Sequence, residues 1–469
     1  MIRFHNTLSG RVEDFRPITP GQVKLYTCGP TVYDFSHIGN YRAYIFEDML
    51  KRFLQMSGLR VTHIMNITDV DDKTIRGAKA RGVSLREYTE VYIQSFFDDI
   101  RALNILPADH YPRATDHIPE MVRLVRGLLD KGFAYEKVGS VYFSIAKFPA
   151  YGRLSKIDLA GLSPGQRTEA DEYEKENIHD FALWKKAKEG EPAWEVELGP
   201  GRPGWHIECS AMSLKYLGQT FDLHCGGVDN IFPHHENEIA QSESYTGTTF
   251  VRYWIHCHHL IVDGQKMSKS KGNFFILKDL LAQGLDPLDL RFLLLATHYR
   301  KTLNYTSETL AQAQAARQRL RDFLYELDHR TFPEGETGEV GALADDTRAK
   351  FLEGLSDDLN ISTAMTALFE FVRKVNIRIA GDTLRHGDAV RARGLLVELD
   401  SVLGVLPRAA EDALPAHWLQ KIQEREKARR EKNYALADKL RAELLEAGIL
   451  LEDSKEGVRW KVQGRAPQA

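Results

Sequence analysis

Cysteine is scarce in this sequence, and long apolar runs are absent. The 469 residues include four cysteines, Cys28, Cys209, Cys225 and Cys257, which are too few and too scattered to form a disulfide framework. No uninterrupted stretch approaches the ~20 apolar residues that span a bilayer, and the N-terminus lacks the basic start and apolar run of a secretory signal. We therefore expect a cytoplasmic protein without a membrane segment, whose thiols are inert, metal-bound or catalytic.

A large excess of charge of either sign is also missing. The formal net charge is -4, with 43% hydrophobic and 27% charged residues, which is the composition of a globular chain with several cored domains. Any binding of nucleic acid must then depend on a local basic patch. Residues 421–465 carry twelve Lys or Arg against nine Asp or Glu, although a run of mixed charge is also typical of a solvated helix face.

Strand and helix signals alternate in the N-terminal part. Residues 23–27 predict a short buried strand, residues 39–56 a helix and residues 61–67 the next strand. Because strand, helix and strand in this order form a βαβ unit, we expect a parallel sheet that binds ligands at the carboxyl ends of its strands.

The remaining signals divide the chain further. Residues 114–204 are irregular and predict an insertion into the sheet domain, after which a strand is expected at 221–224 and a helix at 234–245, beginning after Pro233. Beyond residue 306 apolar residues recur at helical spacing, and residues 406–415 predict a linker into a small final domain.

Two short segments indicate phosphate chemistry. His37-Ile38-Gly39-Asn40 falls where the first strand turns into a helix, so free backbone N–H groups are available there. The side chains of His37 and Asn40 add two hydrogen-bond donors, and Gly39 lets a phosphate group approach the backbone closely. The segment 266–273, Lys-Met-Ser-Lys-Ser-Lys-Gly-Asn, supplies mobile ammonium groups that suit a triphosphate and a departing pyrophosphate. In isolation the first could be an ordinary helix cap and the second a solvated basic loop.

Together these segments resemble the two signatures of class I aminoacyl-tRNA synthetases. The resemblance implies a Rossmann-like catalytic domain in which His37 and Asn40 hold ATP, with Mg²⁺, while Lys266 and Lys269 stabilise the transition state of adenylate formation. Asn40 stands where the family usually has His, and it keeps a donor that does not titrate. We therefore assign Asn40 no acid–base work.

Thiol, imidazole and carboxylate side chains suggest a metal site. His234 and Glu238 are spaced i,i+4, which on a helix places both on one face within about 5–6 Å. With two thiolates such a set suits zinc rather than magnesium or calcium. From spacing alone other sets remain open: a quartet of Cys209, Cys225, Cys257 and a histidine, or no site at all, with His235, His256, His258 and His259 as ordinary core or surface residues.

The segments that carry these residues resemble the cysteinyl-tRNA synthetases, a class I family. The similarity also covers residues 66–73, 180–185 and 448–460, which is nearly the whole chain, and it implies one zinc ion held by Cys28, Cys209, His234 and Glu238. This sequence departs from the family at Cys225, where Gly is usual, and at 257–259, Cys-His-His. The fold that we expect is α/β: a Rossmann-like parallel-sheet catalytic domain split by an insertion, followed by a helical bundle and a small C-terminal domain.

The sequence patterns set the expected domain boundaries, and the resemblance indicates what each part does. They are the first half of the catalytic domain at 1–113, the connective insertion at 114–204, the second half at 205–262, the lysine-loop and stem-contact region at 263–310, a tRNA-binding helical bundle at 311–405 and an anticodon-binding domain at 406–469. A monomer fits the family.

Zinc would explain how cysteine is told from serine, which differs by one atom. An apolar pocket separates such near-isosteres only about 10- to 200-fold. A zinc ion lowers the pKa of a bound thiol, and a hydroxyl cannot replace the Zn–S bond of about 2.3 Å. We hypothesise that the substrate thiolate becomes a further zinc ligand, which makes an editing domain unnecessary.

Further contacts follow from position and from the resemblance. Trp205 precedes Cys209 by one helical turn and either forms a wall of the amino-acid pocket or packs in the core; Thr31, Asn66 and His224 are further candidates for that pocket. The glycines at 226 and 227 allow close approach of adenosine, and Asp229 can accept from ribose hydroxyls. Gly39 and Gly227 thus belong to the predicted ATP site.

The C-terminal third decides between acceptors. The catalytic core could also join activated cysteine to a small amine, but the related ligases of thiol-cofactor biosynthesis are shorter at this end. Here Arg429 and Arg430 can contact tRNA phosphates, and Trp460 can stack on an unpaired base or close the last hairpin. The expected partners are therefore L-cysteine, ATP and tRNA(Cys). A catalytically inactive, zinc-stabilised RNA-binding protein is the alternative of another class.

Overall fold

The computed structural model describes residues 1–157, 179–406, 416–454 and 457–462. These residues form two compact units. The first contains Met1–Phe274, Thr297–Tyr305 and Leu352–Ala364, and the second contains Phe275–Ala296, Thr306–Phe351 and Met365–Ala469. None of the helices in the described part of the chain is both long enough and apolar enough to cross a bilayer.

A parallel four-stranded sheet lies at the centre of the first unit, which confirms the predicted fold class. After the hairpin of β1 (Arg3–Asn6) and β2 (Arg11–Asp14), its elements are β3 (Gln22–Thr27), α1 (Ile38–Met56), β4 (Arg60–Met65), β9 (Phe221–Gly227) and β10 (Val251–Cys257). The strand order is β10-β9-β3-β4. Thr27 pairs with Cys225 in register, and Cys28 N donates to Cys225 O at 3.3 Å, so the ends of β3 and β9 emerge side by side.

The chain between β4 and β9 adds helices and a second sheet. Its elements are α2 (Asp72–Arg81), α3 (Leu85–Ala102), α4 (Ile118–Asp130), β5 (Ala134–Lys137), β6 (Ser140–Phe143), β7 (Phe181–Lys186), β8 (Gly201–Pro203) and α5 (Trp205–Leu217). Strands β5 to β8 form an antiparallel sheet in that order. Asp72 at the start of α2 joins this sheet to the core through ion pairs with Lys185 and the buried Arg202.

The helix expected at 234–245 begins two residues later. Residues Ile231–His235 form a wider π-type turn, in which Phe232 has extended backbone angles, and the regular helix α6 is Glu236–Thr246. The sequence could not show this turn, because Pro at the first helical turn is equally compatible with a regular start. His234 and Glu238 still meet, with His234 Nε2 3.0 Å from Glu238 Oε1.

Short strands follow the main sheet. They are β11 (Leu260–Val262), β12 (Gln265–Lys266) and, later in the chain, β13 (Leu303–Tyr305), in the order β12-β11-β13. The segment between β12 and Phe274 contains a single 3-10 turn, Lys269–Lys271, and carries the lysines of the second signature.

The second unit is helical, as the spacing of apolar residues predicts. Its helices are α7 (Leu277–Ala282), α8 (Pro287–Leu295), α9 (Ser307–His329), α10 (Glu339–Ser356) and α11 (Ile361–Ala380), the last two shared with the first unit, followed by α12 (His386–Leu403), α13 (Ala416–Arg430) and α14 (Tyr434–Glu446). A hairpin of β14 (Ile449–Ser454) and β15 (Gly457–Val462) follows. The predicted linker at 406–415 lies outside the described residues apart from Leu406.

Candidate active site

A cavity of about 490 Å³ opens at the carboxyl ends of the parallel strands. One end is lined by thiol and imidazole groups and the other by the two signature segments, including Cys28, Trp205, Cys209, His234, His37, Asn40 and Lys269. A second cavity of about 410 Å³ adjoins it and shares Cys28, His37, Asn40 and Asp229 with it. The position agrees with the rule that parallel sheets bind ligands beyond the ends of their strands.

Four metal-ligating side chains lie together behind this cavity. Ligand atoms of Cys28, His234, His235 and Glu238 are all within 4.8 Å of one another. Glu238 Oε1 is buried, and no described residue gives it a hydrogen bond of good geometry, although His234 Nε2 lies 3.0 Å away. A buried carboxylate oxygen without a partner is costly, and a cation between these groups would satisfy it.

Cys209 lies directly beside this cluster. Its thiol is within hydrogen-bonding range of Cys28 and of His234. Burial opposes charge on the His234 imidazole, but Cys209 and Glu238 together raise its pKa to about 10. Burial likewise opposes ionisation of Glu238, yet His224 and His234 lower its pKa to about 2. The charge states of these side chains therefore depend on one another, and they are those of Cys28, Cys209, His224, His234 and Glu238.

The other two cysteines are not part of this set. Burial raises the pKa of the Cys225 thiol well above its usual range and that of Cys257 to about 11, so both are neutral thiols. Among the described residues, neither belongs to a group of potential metal ligands. The alternative quartet of Cys209, Cys225, Cys257 and a histidine is therefore not assembled.

His224 does not line the cavity, contrary to the predicted contact with the amino acid. Its ring is fully buried, stacks on Trp254 at 4.5 Å between centroids, and places Nε2 2.9 Å from Glu238 Oε2. The side chains of a strand point alternately to opposite faces, and the sequence alone did not tell which face His224 takes. Its position is that of a support for the carboxylate.

His235 supports the Cys28 thiol through a chain of hydrogen bonds. His235 Nε2 lies 3.2 Å from Cys28 Sγ, His235 Nδ1 lies 2.8 Å from His256 Nε2, and His256 Nδ1 lies 2.8 Å from Thr7 Oγ1. Burial lowers the pKa of both imidazoles, so each ring carries one proton. If Thr7 donates to His256, and His256 to His235, then His235 has a proton left to donate to Cys28, and this bond would oppose the burial that raises the pKa of the Cys28 thiol.

Trp205, Thr31 and Asn66 line the cavity near the thiols, and their contact with the amino acid stays a prediction. Trp205 is the first residue of α5, one turn before Cys209, and its ring lies 4.4 Å from that of His234. Asn66 Oδ1 accepts from Gly29 N at 3.0 Å, and a Cβ at Gly29 would stand 1.8 Å from Asn66 O. Only glycine therefore fits at this wall.

His37 and Asn40 cap the first turn of α1 with each other. His37 Nδ1 accepts from Asn40 N at 3.3 Å, and Asn40 Oδ1 accepts from His37 N at 3.0 Å. Burial lowers the pKa of His37, so the neutral ring carries its proton on Nε2. The cap thus uses the acceptor of each side chain, and His37 Nε2–H and Asn40 Nδ2–H₂ remain as donors.

The two signature lysines line different cavities. Lys269 borders the first cavity, forms an ion pair with Asp34 and lies 5.1 Å above the ring of Phe274. Lys266 borders the second cavity at the end of β12. Asp229 borders both, and a Cβ at Gly227 would stand 2.3 Å from Asp229 Oδ1, so glycine is needed for Asp229 to take this position.

Comparison with known proteins identifies the family. A family model described as tRNA synthetases class I (C) catalytic domain matches residues 14–315, the DALR domain model matches 350–407, and the model of the cysteinyl-tRNA ligase anticodon binding domain matches 411–460. A cysteine–tRNA ligase of Chlamydia muridarum is 50% identical over 472 residues, covering 97% of this chain and 98% of the relative. That of Solibacter usitatus is 47% identical, covering 98% and 99%.

The chain belongs to the cysteine–tRNA ligase family. Among solved structures, methionyl-tRNA synthetase of Mycobacterium tuberculosis in complex with methionyl-adenylate covers 82% of this ligase and 90% of its own chain, with a TM-score of 0.57 and 19% identity. A leucyl-tRNA synthetase of Agrobacterium radiobacter gives a TM-score of 0.58 at 12% identity. At such identities the likeness shows the fold alone.

The residues predicted to contact tRNA lie in the second unit of this ligase. Arg429 and Arg430 are exposed at the end of α13. Trp460 belongs to β15 and pairs in register with Leu451, and its side chain lies outside the described residues. The last hairpin, which Trp460 was expected either to close or to use for stacking, is present as β14 and β15.

Several site residues were not predicted from the sequence. Asp34 pairs with Lys269, and the ring of Phe274 lies edge-on to His37 at 5.2 Å. His206 Nδ1 lies 3.0 Å from His234 Nδ1. Asp34 and Phe274 are each within three residues of a signature segment, and this proximity was the one available signal.

Proposed function

We propose that this ligase activates L-cysteine with ATP and Mg²⁺ to cysteinyl-adenylate and pyrophosphate, and then transfers cysteine to the 3′-terminal adenosine of tRNA(Cys). One observation carries the proposal: two thiols and the imidazole of His234, which is backed by the Glu238 carboxylate, line the same cavity as residues of both nucleotide signatures. The proposed zinc site and the proposed binding site for the ATP phosphates therefore lie at the same cavity.

We propose Cys28, Cys209, His234 and Glu238 as ligands of one zinc ion per chain. Two thiols, an imidazole and a carboxylate suit zinc. Glu238 Oε1 is buried without a hydrogen-bond partner, so a bound cation would compensate its charge. Cys209 is preferred to His235 because the Cys209 thiol lines the cavity together with Cys28 and His234, whereas the two ring nitrogens of His235 already face Cys28 Sγ and His256 Nε2. Zinc bound there would take the substrate thiolate as a further ligand, which a serine hydroxyl cannot replace.

The surrounding side chains orient these ligands. His224 Nε2 lies 2.9 Å from Glu238 Oε2 and His235 Nε2 lies 3.2 Å from Cys28 Sγ, so two of the three anionic ligands are oriented before substrate arrives. Trp205 covers His234 and, with Thr31, bounds the space for the amino acid. This layer excludes water from the thiolate.

The nucleotide groups act at the other end of the cavity. His37 Nε2 and Asn40 Nδ2 donate to phosphate oxygens, with Gly39 allowing close approach, while Asp229 accepts from ribose hydroxyls beside Gly227. Lys266 and Lys269 neutralise the charge that develops as pyrophosphate leaves. None of these residues needs to move a proton.

A helical bundle and the final domain would bind the tRNA through Arg429, Arg430 and Trp460, with the enzyme acting as a monomer. The match of an anticodon-binding model to residues 411–460 supports tRNA rather than a small amine as acceptor. An inactive RNA-binding protein would leave both lysines and both helix-start donors without use.

Two measurements test the proposal. The purified enzyme should contain one zinc per chain and catalyse cysteine-dependent exchange of pyrophosphate into ATP, with serine inactive. X-ray absorption at the zinc edge should gain one sulfur neighbour when cysteine is added. An unchanged zinc shell would reject the thiolate mechanism, and a metal-free enzyme that still prefers cysteine to serine would reject the zinc site itself.

A further inference from the structure

Tyr33 is an exposed aromatic side chain at the mouth of the amino-acid cavity. It lines this cavity and is 38% exposed, whereas the preceding residue, Val32, is 1% exposed and packs with Ile67, Tyr88 and other apolar residues. Among the described side chains, Tyr33 and Tyr434 are the exposed aromatic ones. The loop therefore buries one neighbour and displays the ring.

Two hydrogen bonds hold the backbone of Tyr33 in place. Tyr88 Oη donates to Tyr33 O at 2.7 Å, and Tyr33 N donates to Thr31 O at 3.0 Å. Tyr88 in turn packs against Gly77, where a Cβ would stand 2.1 Å from Tyr88 Oη. A ring displayed from such a fixed loop loses little freedom when a flat ligand stacks on it.

A cation accompanies the ring. Lys73 Nζ lies 4.9 Å from the centroid of Tyr33, and the Lys73 backbone is fixed by Asp71, which caps α2 and accepts from Lys73 N at 2.9 Å. The neighbouring acid, Asp34, is already paired with Lys269. The ammonium group lies over one face of the ring, and an aromatic ring together with a cation is the combination that binds a base and its phosphate in single-stranded nucleic acids.

We propose that Tyr33 and Lys73 bind the unpaired 3′ end of the tRNA as it enters the cavity, with a base stacked on the ring of Tyr33 and a backbone phosphate at Lys73. This inference rests on the proposed function, because it requires an RNA whose end reaches the adenylate. It gives the transfer step a binding site on the catalytic unit, separate from the arginines of the second unit. Adenylate formation does not use this site.

The test compares two reactions of each variant. Tyr33→Ala should lower kcat/KM for tRNA in aminoacylation by about 5- to 150-fold, the range that corresponds to removal of one stacked base. The loss in cysteine-dependent pyrophosphate exchange should be at least tenfold smaller. Tyr33→Phe keeps the aromatic ring and should have the kcat/KM for tRNA of the enzyme without substitution. That result would show that the lower kcat/KM of Tyr33→Ala is due to lost stacking.

Lys73→Ala is tested against Lys79→Ala, since both lysines are exposed on α2. Loss of one phosphate contact should reduce the slope of log kcat/KM for tRNA against log salt by about 0.7 in Lys73→Ala, with no change in Lys79→Ala. Binding of tRNA from which the unpaired 3′ end has been removed should not respond to Tyr33→Ala.

The outcomes separate this inference from the proposed function. If the enzyme without any substitution showed no cysteine-dependent exchange of pyrophosphate into ATP, the proposed function itself would be rejected. Normal exchange combined with wild-type tRNA kinetics in Tyr33→Ala would overturn only the proposed 3′-end site. Equal losses in exchange and aminoacylation would also overturn it, because they would place Tyr33 in the amino-acid pocket.

Discussion

The two ends of the active-site cavity are built in opposite ways. At the thiol end, His234, His235 and Glu238 are at most 2% exposed and come from the turn before α6 and its first helical turn. At the phosphate end, Lys269 has 63% of its side chain exposed and stands on a single 3-10 turn. One end is assembled inside the core, and the other is carried by a surface segment.

This difference corresponds to the two tasks that we propose for the site. Distinguishing a thiol from a hydroxyl depends on fixed ligand positions, which buried residues with second hydrogen-bond partners provide. Neutralising charge on a departing pyrophosphate requires groups that follow the charge, which exposed lysines on a short turn can do. The two functions should therefore be lost separately, and the predictions below test that separation.

The largest effect is expected at the thiol end. Cys28→Ser should remove the zinc and reduce cysteine-dependent exchange by about 10³-fold or more, because the substrate thiolate would lose its bond to the metal and about 4 kcal/mol of binding corresponds to that factor. Cys225→Ala is the matched control: it removes a buried thiol outside the cluster and should keep the zinc. Elemental analysis and exchange assays measure both. Full zinc content in Cys28→Ser would contradict the ligand set.

The second effect is expected at the phosphate end. Lys269→Ala should lower the exchange rate about 100- to 1,000-fold, the usual cost of removing one group that stabilises transition-state charge. Its zinc content should be unchanged, since Lys269 contacts none of the proposed ligands. Lys271→Ala is the control, because Lys271 Nζ donates to Gln265 Oε1 at 3.1 Å and does not line the first cavity. Loss of zinc in Lys269→Ala would break the separation.

A smaller effect is expected behind the ligands. His224→Gln should weaken zinc binding about 10- to 100-fold, because Glu238 Oε2 would lose its fixed partner while remaining a carboxylate. Competition with a chelator measures this change, and excess zinc should restore exchange. If zinc affinity were unchanged but the KM for cysteine rose, His224 would act on the substrate, as its position in the sequence first suggested.

The sequence predicted the parallel sheet and the two signatures because both depend on local patterns. Short apolar runs and helical spacing identified β3, α1 and β4 to within one or two residues, and the capping pair His37 and Asn40 lies where the chain enters the helix. The π-type turn before α6 has no comparable local pattern, because Pro233 is equally compatible with a regular helix start. The partner of His224 likewise depends on the face that β9 turns toward α6.

Contacts between distant parts of the chain were beyond the sequence for the same reason. Asp34 and Lys269 are 235 residues apart, and their ion pair exists only because the loop after β3 and the segment after β12 border the same cavity. Charge alone gave no reason to pair these two among 62 basic and 66 acidic residues. The chain topology, which brings these two segments to the same cavity, determines that Asp34 pairs with Lys269.

The smallest predicted effect concerns this Asp34–Lys269 pair. ATP must compete with Asp34 for the Lys269 ammonium, and the carboxylate also repels a triphosphate. Asp34→Asn should therefore lower the KM for ATP by about two- to fivefold at low salt, in line with the 0–1 kcal/mol of an exposed ion pair, and the difference should shrink as salt is added. Asp34→Glu keeps the charge and serves as control. A higher KM for ATP in Asp34→Asn would show instead that the pair holds the lysine loop in its active position, and the phosphate end would then be more preorganised than its exposure indicates.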